Sequence, residues 1–293
     1  MHHDVIELRK FYYSTALGRV VQKVLRDRLT QLWPPDQSAG MTVAGYGFAA
    51  PLQRPYLGRA RRVSSLMPGP QGVMAWPAGL PNCSVLCEET AWPLDTGSVD
   101  RLVLLHALET ADHPHDVLSE AWRVLGPGGR MLVMAPNRAG LWARSESTPF
   151  GFGRSYSAGQ LEAQARDAGF VTERSGAALY IPPSNRRFWL KSAQMWERAG
   201  LRISQVLVAG VVLTEFSKQV PAPIGRPRRV SLPSPLDVLE GIARPKPVGN
   251  GNAARGATPR SAVAAWGDSP ARAGAGPTAA HVSAILPRIG RKP

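Results

Sequence analysis

The sequence predicts an α/β domain whose parallel sheet is covered by helices on both faces, and three observations carry that reading. Residues 99–105 (VDRLVLL) are an apolar run of strand length. Residues 114–125 then place Val117, Leu118, Ala121 and Leu125 on one helical face, and Gly126-Pro127-Gly128-Gly129 stops the helix. Residues 130–135 (RMLVMA) form a second buried strand. Strand, helix, glycine turn and strand in so short a span make a βαβ unit, with parallel strands and a right-handed crossover.

The remaining elements follow in order. Leu17, Val20, Val21, Val24, Leu25, Leu29 and Leu32 recur at three- and four-residue steps, with Arg19, Lys23, Arg26 and Arg28 between them. This is an amphipathic helix with a basic outer face, ended by Pro34 and Pro35. Residues 41–44 read as a buried strand that enters Gly45. Residues 62–67 form another, closed by Pro68-Gly69-Pro70, and residues 83–86 a weaker third. A helix over 157–168 has Ser157 as its N-cap and Gly169 as its stop. Strands over 171–178 and 206–215 flank a basic helix over 185–199.

Composition divides the chain. The net charge is +14, and there are 29 glycines and 27 prolines. From Ala222 onward there are 11 basic and 3 acidic residues in a segment rich in Pro, Gly, Ala and Arg, with no sustained period of 2 or 3.6. Such a segment buries too little apolar surface to offset its ordering entropy. The expected organisation is therefore a folded domain over 1–221, opening with a helical segment over 1–35, and a disordered basic tail over 222–293. One short helix is allowed at 236–242. The tail suits weak, sequence-independent contact with anions or nucleic acid, or simple solvation.

Several classes lack support. Cys83 and Cys87 are too few for a disulfide framework or a four-ligand zinc site. No apolar run approaches the roughly 20 residues of a membrane span, and Asp4 and Glu7 precede any long apolar stretch, so a cytoplasmic location is expected. Neither a Gly-x-Ser-x-Gly elbow nor a phosphate-binding Gly-Lys-Ser/Thr loop occurs. His106, Glu109, Asp112, His113, His115 and Asp116 are ligand types for zinc or iron, but no His-x-x-x-His pair exists and Pro114 interrupts them. Acids at a helix start also favour the helix dipole, so no metal is expected.

The ordered pieces Trp92-Pro93-Leu94, Ser98-Val99-Asp100, His106-Ala107-Leu108-Glu109 and Arg123-Val124-Leu125-Gly126-Pro127-Gly128-Gly129 lie within residues 88–138. In this order they resemble the type 11 family of class I S-adenosylmethionine-dependent methyltransferases. The resemblance implies a Rossmann-like, seven-stranded, mostly parallel sheet with the cofactor over the carboxyl ends of its first four strands, where open α/β sheets bind ligands. It implies S-adenosylmethionine (SAM) as cofactor, with Glu88 or Glu89 at the adenine end and His106 near the methionine part. The alternatives are a solvated loop acid and a structural histidine. The family's glycine loop corresponds to Val43-Ala44-Gly45-Tyr46-Gly47-Phe48-Ala49, so Gly45, Tyr46 and Gly47 complete the expected cofactor-binding set. Val43 stands where the family has an acid for the cofactor's ammonium group, and Ala49 replaces the third glycine. No acid occurs over 64–67, where another would hold the ribose.

The function so implied is methyl transfer from SAM to an acceptor that the sequence does not name. No catalytic residue is assigned, because transfer in an aligned complex needs little general-base help. Trp142, Phe150 and Phe152 are expected to shape the acceptor site, or else to belong to the core or a subunit contact, with the N-terminal helix as a lid. The alternative is a catalytically degenerate methyltransferase fold that serves as a binding or regulatory module.

Overall fold

The computed structural model describes residues 4–203 and 209–220, all within one compact unit, Met1–Pro227. The tail expected over 222–293, its helix at 236–242 and the beginning of the strand expected from 206 lie outside the described residues.

Seven strands form a single sheet: β1 (Thr42–Gly47), β2 (Arg62–Pro68), β3 (Ser84–Cys87), β4 (Val99–Leu105), β5 (Leu125–Pro136), β6 (Val171–Ala178) and β7 (Val211–Ser217). Their order is β3-β2-β1-β4-β5-β7-β6. The first five run parallel, while β7 is antiparallel to both β5 and β6. The order reverses between β1 and β4, the switch point at which open α/β sheets bind ligands. The Thr42 backbone N–H donates to Asp100 Oδ2 at 2.8 Å, fixing the start of β1 against β4.

Side chains alternate between two cores, as a period of two requires. On one face Val43, Val103, Leu105, Leu132, Met134 and Leu213 are buried beneath α1 (Val5–Arg9), α2 (Ala16–Leu32), α3 (Ala50–Gln53) and residues that follow β5 and β6. On the other, Ala44, Tyr46, Leu102, Leu104, Met131 and Val133 meet Val117, Leu118 and Ala121 of α4 (Pro114–Val124) and Leu161 and Ala165 of α5 (Ala158–Asp167). The last helix, α6 (Arg187–Ile203), joins the first layer through Ala193. The long α2 is tied to the sheet by a buried carboxylate: Glu215 of β7 accepts from the Trp33 indole at 2.8 Å and from Arg130 at 2.9 Å, and Arg174 lies 3.0 Å away.

Local chemistry explains the element ends. Ser157 caps α5 in a reciprocal capping box with Gln160, as its placement before the helical run predicts. The run 126–129 stops α4 but does not stand outside the sheet: β5 begins at Leu125, with a register shift against β4 between Val99 and Arg101. Gly128 donates to the Lys218 carbonyl at 2.9 Å, and Lys218 donates back to the Gly129 carbonyl at 3.0 Å. These bonds explain why a glycine-rich stop carries strand pairing. β1 extends through Gly45 and Gly47, three residues past its expected end.

Residues ahead of α2 fold as α1 followed by a π-helical turn, Lys10–Ser14. Val5, Leu8, Phe11 and Tyr12 are buried there at three- and four-residue steps, a helical pattern too short to stand out. No helix among the described residues is long and apolar enough to cross a membrane.

Replacing Ser157 by alanine is expected to remove one cap bond and lower stability by about 1 kcal/mol, read as a lower urea midpoint with an unchanged slope.

Candidate functional site

The site grows from the place where β1 leaves the sheet beside the end of β4. Gly47 adopts φ +80°, and a Cβ there would lie 2.3 Å from the Leu105 carbonyl oxygen and 2.7 Å from that of His106. A residue with a side chain could not pass. The close approach lets the Phe48 N–H donate to the Leu105 carbonyl at 2.7 Å. Gly45 serves the same turn on its inner side, where a Cβ would sit 2.7 Å from both Ala49 Cβ and Gln53 Oε1. Gln53 is buried, and its amide donates to the Ser64 carbonyl at 2.9 Å, joining α3 to β2.

His106 follows β4 with φ +50°, a backbone conformation uncommon for a residue with a side chain. Its Nε2 is 2.7 Å from the Tyr12 hydroxyl. Its Nδ1 lies 3.1 Å from Glu109 Oε1 without hydrogen-bond alignment, and both side chains are 1% exposed. Glu109 also accepts from the Ala107 N–H at 3.1 Å. Burial, reinforced by the nearby Glu109 charge, holds the Tyr12 phenol well above its ordinary pKa, so it stays protonated. Phe150 packs 4.7 Å from the imidazole and Phe48 stacks on Tyr12 at 5.5 Å. The result is a buried tyrosine, histidine and glutamate sealed by two phenylalanines.

The second half lies at the end of β3. Tyr46 stacks on Trp92 with centroids 4.4 Å apart, in the core opposite to that of His106. The Trp92 indole donates to the Glu89 carbonyl at 3.1 Å, and Glu89 Oε2 accepts from the Asp112 N–H at 3.3 Å. Glu88 is exposed. The segment is clamped by α4: Glu120 accepts the Trp92 N–H at 2.8 Å, and Arg123 donates to Glu120 and to the carbonyls of Trp92 and Leu94. Arg123 of the Arg-Val-Leu motif therefore holds the Trp-Pro-Leu motif, a physical reason for the two to occur together. Burial, with Glu88 and Glu120 adding to it, pushes the neighbouring Cys87 thiol up to about 12.

Gly45, Gly47 and His106 thus meet at the ends of β1 and β4, while Glu88 and Glu89 follow β3. Tyr46 reaches toward Glu89, not His106. Of the aromatics expected either to shape the acceptor site or to belong to the core, Trp142 and Phe150 are core: each is 1% exposed, with the Trp142 indole donating to the Ile181 carbonyl at 2.7 Å. Phe152 is half-buried at a surface hollow with Glu7 and Phe11. The covering element is the segment 5–14, ahead of the helix expected as a lid. Tyr12 was missed because a lone tyrosine in a short apolar pattern signals nothing about its partner. Among the described residues no three His, Cys, Asp or Glu side chains converge as a metal group.

Strand order, the switch point and the turn after β1 decide the architecture. The chain has the class I methyltransferase fold. Residues 72–133 match the family described as a methyltransferase domain. A chain of the complex between the Haloferax volcanii Trm112 methyltransferase activator and a methyltransferase aligns with TM-score 0.51 and 18% identity, over 73% of this chain and 99% of that one. A SAM-dependent methyltransferase from Thermotoga maritima aligns at 0.49 and 17%, over 73% and 96%. One from Aquifex aeolicus aligns at 0.47 and 17%, over 74% and 99%. None of the curated proteins matches.

As packed, the end of β4 in this methyltransferase fold is covered, with His106 only 1% exposed. Val43 and Met67 are fully buried apolar side chains, and Tyr12, Phe48 and His106 are buried with them. Tyr12, from the segment 5–14, and Phe150 both pack against the His106 imidazole.

Gly47→Ala is expected to cost about 2–5 kcal/mol through strain and overpacking, read by thermal denaturation. Native iodoacetamide labelling at pH 8 is expected to modify half-buried Cys83 and spare Cys87, with both labelled once the chain is unfolded; equal native labelling would contradict the burial of Cys87.

Proposed function

We propose that the protein is a SAM-dependent methyltransferase. The observation that carries this reading is the seating of the ordered motif run on the class I sheet, with Glu88 and Glu89 after β3 and His106 after β4. Glu88 or Glu89 would accept a hydrogen bond from the adenine amino group, Gly45, Tyr46 and Gly47 would line the turn, and His106 would face the methionine end. Cofactor entry requires the Tyr12 hydroxyl to leave His106 Nε2.

A second reading, a degenerate methyltransferase fold used as a binding or regulatory module, is favoured by one specific observation. Both motif carboxylates are missing, and each lost charged hydrogen bond is worth roughly 1.5–3 kcal/mol.

Calorimetric titration of the full chain with SAM and S-adenosylhomocysteine separates the two. Saturable binding in the micromolar to submillimolar range is expected. Glu88→Gln or Glu89→Gln should weaken it about tenfold. Tyr12→Phe, which frees His106 without emptying the core, should strengthen it. Folded wild-type and Tyr12→Phe proteins that both fail to bind at millimolar cofactor would overturn the enzyme reading in favour of the module.

A further inference from the structure

A cavity lies beside the π-helical turn. Adjacent tyrosines face opposite ways: Tyr12 is fully buried against His106, whereas Tyr13 is 38% exposed. Tyr13 lines a cavity of about 510 Å³ with Arg9, Arg54, Pro51, Met74 and Trp76. This volume lies within the range of small-molecule sites. None of the expected cofactor residues lines it.

Its walls are held by bonds independent of any ligand. Gln22 of α2 donates to the Pro51 carbonyl of α3 at 3.2 Å. The Trp76 N–H donates to Asn82 Oδ1 at 3.1 Å, and the Trp76 carbonyl accepts from Cys83 N–H at 2.6 Å. The loop between β2 and β3 is thereby pinned, with the Trp76 ring 4% exposed. Arg9 and Arg54 make no ion pair among the described residues. Arg54, Arg9 and Arg26 are the charges that act most on the Tyr13 hydroxyl. Two exposed arginines, without an ion pair among the described residues, therefore line a predominantly apolar, aromatic-walled hollow. Guanidinium forks pair with carboxylate or phosphate, while flat apolar groups pack on indole and thioether surfaces.

We propose that this cavity binds a small organic anion, its carboxylate or phosphate held between Arg9 and Arg54 and its flat apolar body against Trp76, Met74 and Pro51. The site is separate from the His106 cluster, so its failure would leave the methyltransferase reading untouched.

The test is calorimetric titration of the full chain with 1-naphthyl phosphate, 1-naphthoate and uncharged 1-naphthamide. At least one of the two anions is expected to bind saturably at one equivalent, and the amide about tenfold more weakly or not at all. The stronger anion identifies the preferred head group. Arg9→Gln/Arg54→Gln should weaken anion binding about tenfold or more. Ala75→Glu, which sets a carboxylate at an exposed position on the cavity wall, should abolish it while the circular dichroism spectrum stays unchanged. Absence of saturable binding at millimolar anion, equal binding of the amide, or unchanged affinity in the folded variants would each overturn the proposal.

Discussion

The turn that leaves β1 passes so close to the end of β4 that the Leu105 carbonyl occupies the space a side chain at position 47 would need. Glycine at that position lets the Phe48 N–H meet the same carbonyl, and the two strands are joined where the sheet order reverses. Much of the site depends on this contact. It turns Phe48 inward, lies against the backbone of His106, and leaves the imidazole facing Tyr12. A glycine of this kind is needed for backbone geometry alone, so Gly47 by itself does not report a cofactor.

The buried Tyr12, His106 and Glu109 cluster costs desolvation, and only part of its polar capacity is matched: Nδ1 and Glu109 Oε1 stand close but out of hydrogen-bond line. An incompletely satisfied polar cluster beneath a short N-terminal helix and a π-helical turn is easier to open than a fully paired core. The N-terminal segment thus couples two places at once. Tyr12 covers His106 at the switch point, and Tyr13, one residue along, forms part of the arginine-lined cavity. Movement of the segment would alter both.

On the opposite face the motifs have a mechanical role. Arg123 and Glu120 grip the segment 92–94 and present Glu88 and Glu89 after β3. This part of the site stands whether or not residues 5–14 move. Glu88 and Glu89 are thus held by the scaffold, while His106 lies beneath the N-terminal segment through Tyr12.

The sequence alone was enough for the βαβ unit around residues 99–135, the caps of α5, the class of sheet and the strand ends that carry the expected site residues. These features are written in local periodicity, in glycine and proline stops, and in an ordered motif run, which short-range physics fixes. It also showed apolar residues at Val43 and over 64–67, where the resemblance implies carboxylates. The partners of those strand ends depended on tertiary structure. That Gly47 abuts a backbone carbonyl, that Trp142 and Phe150 are core, and that Tyr12 covers His106 are all contacts between residues distant in the chain. Such contacts are decided by how the layers pack, and an aromatic residue looks the same in sequence whether it lines a pocket or fills one.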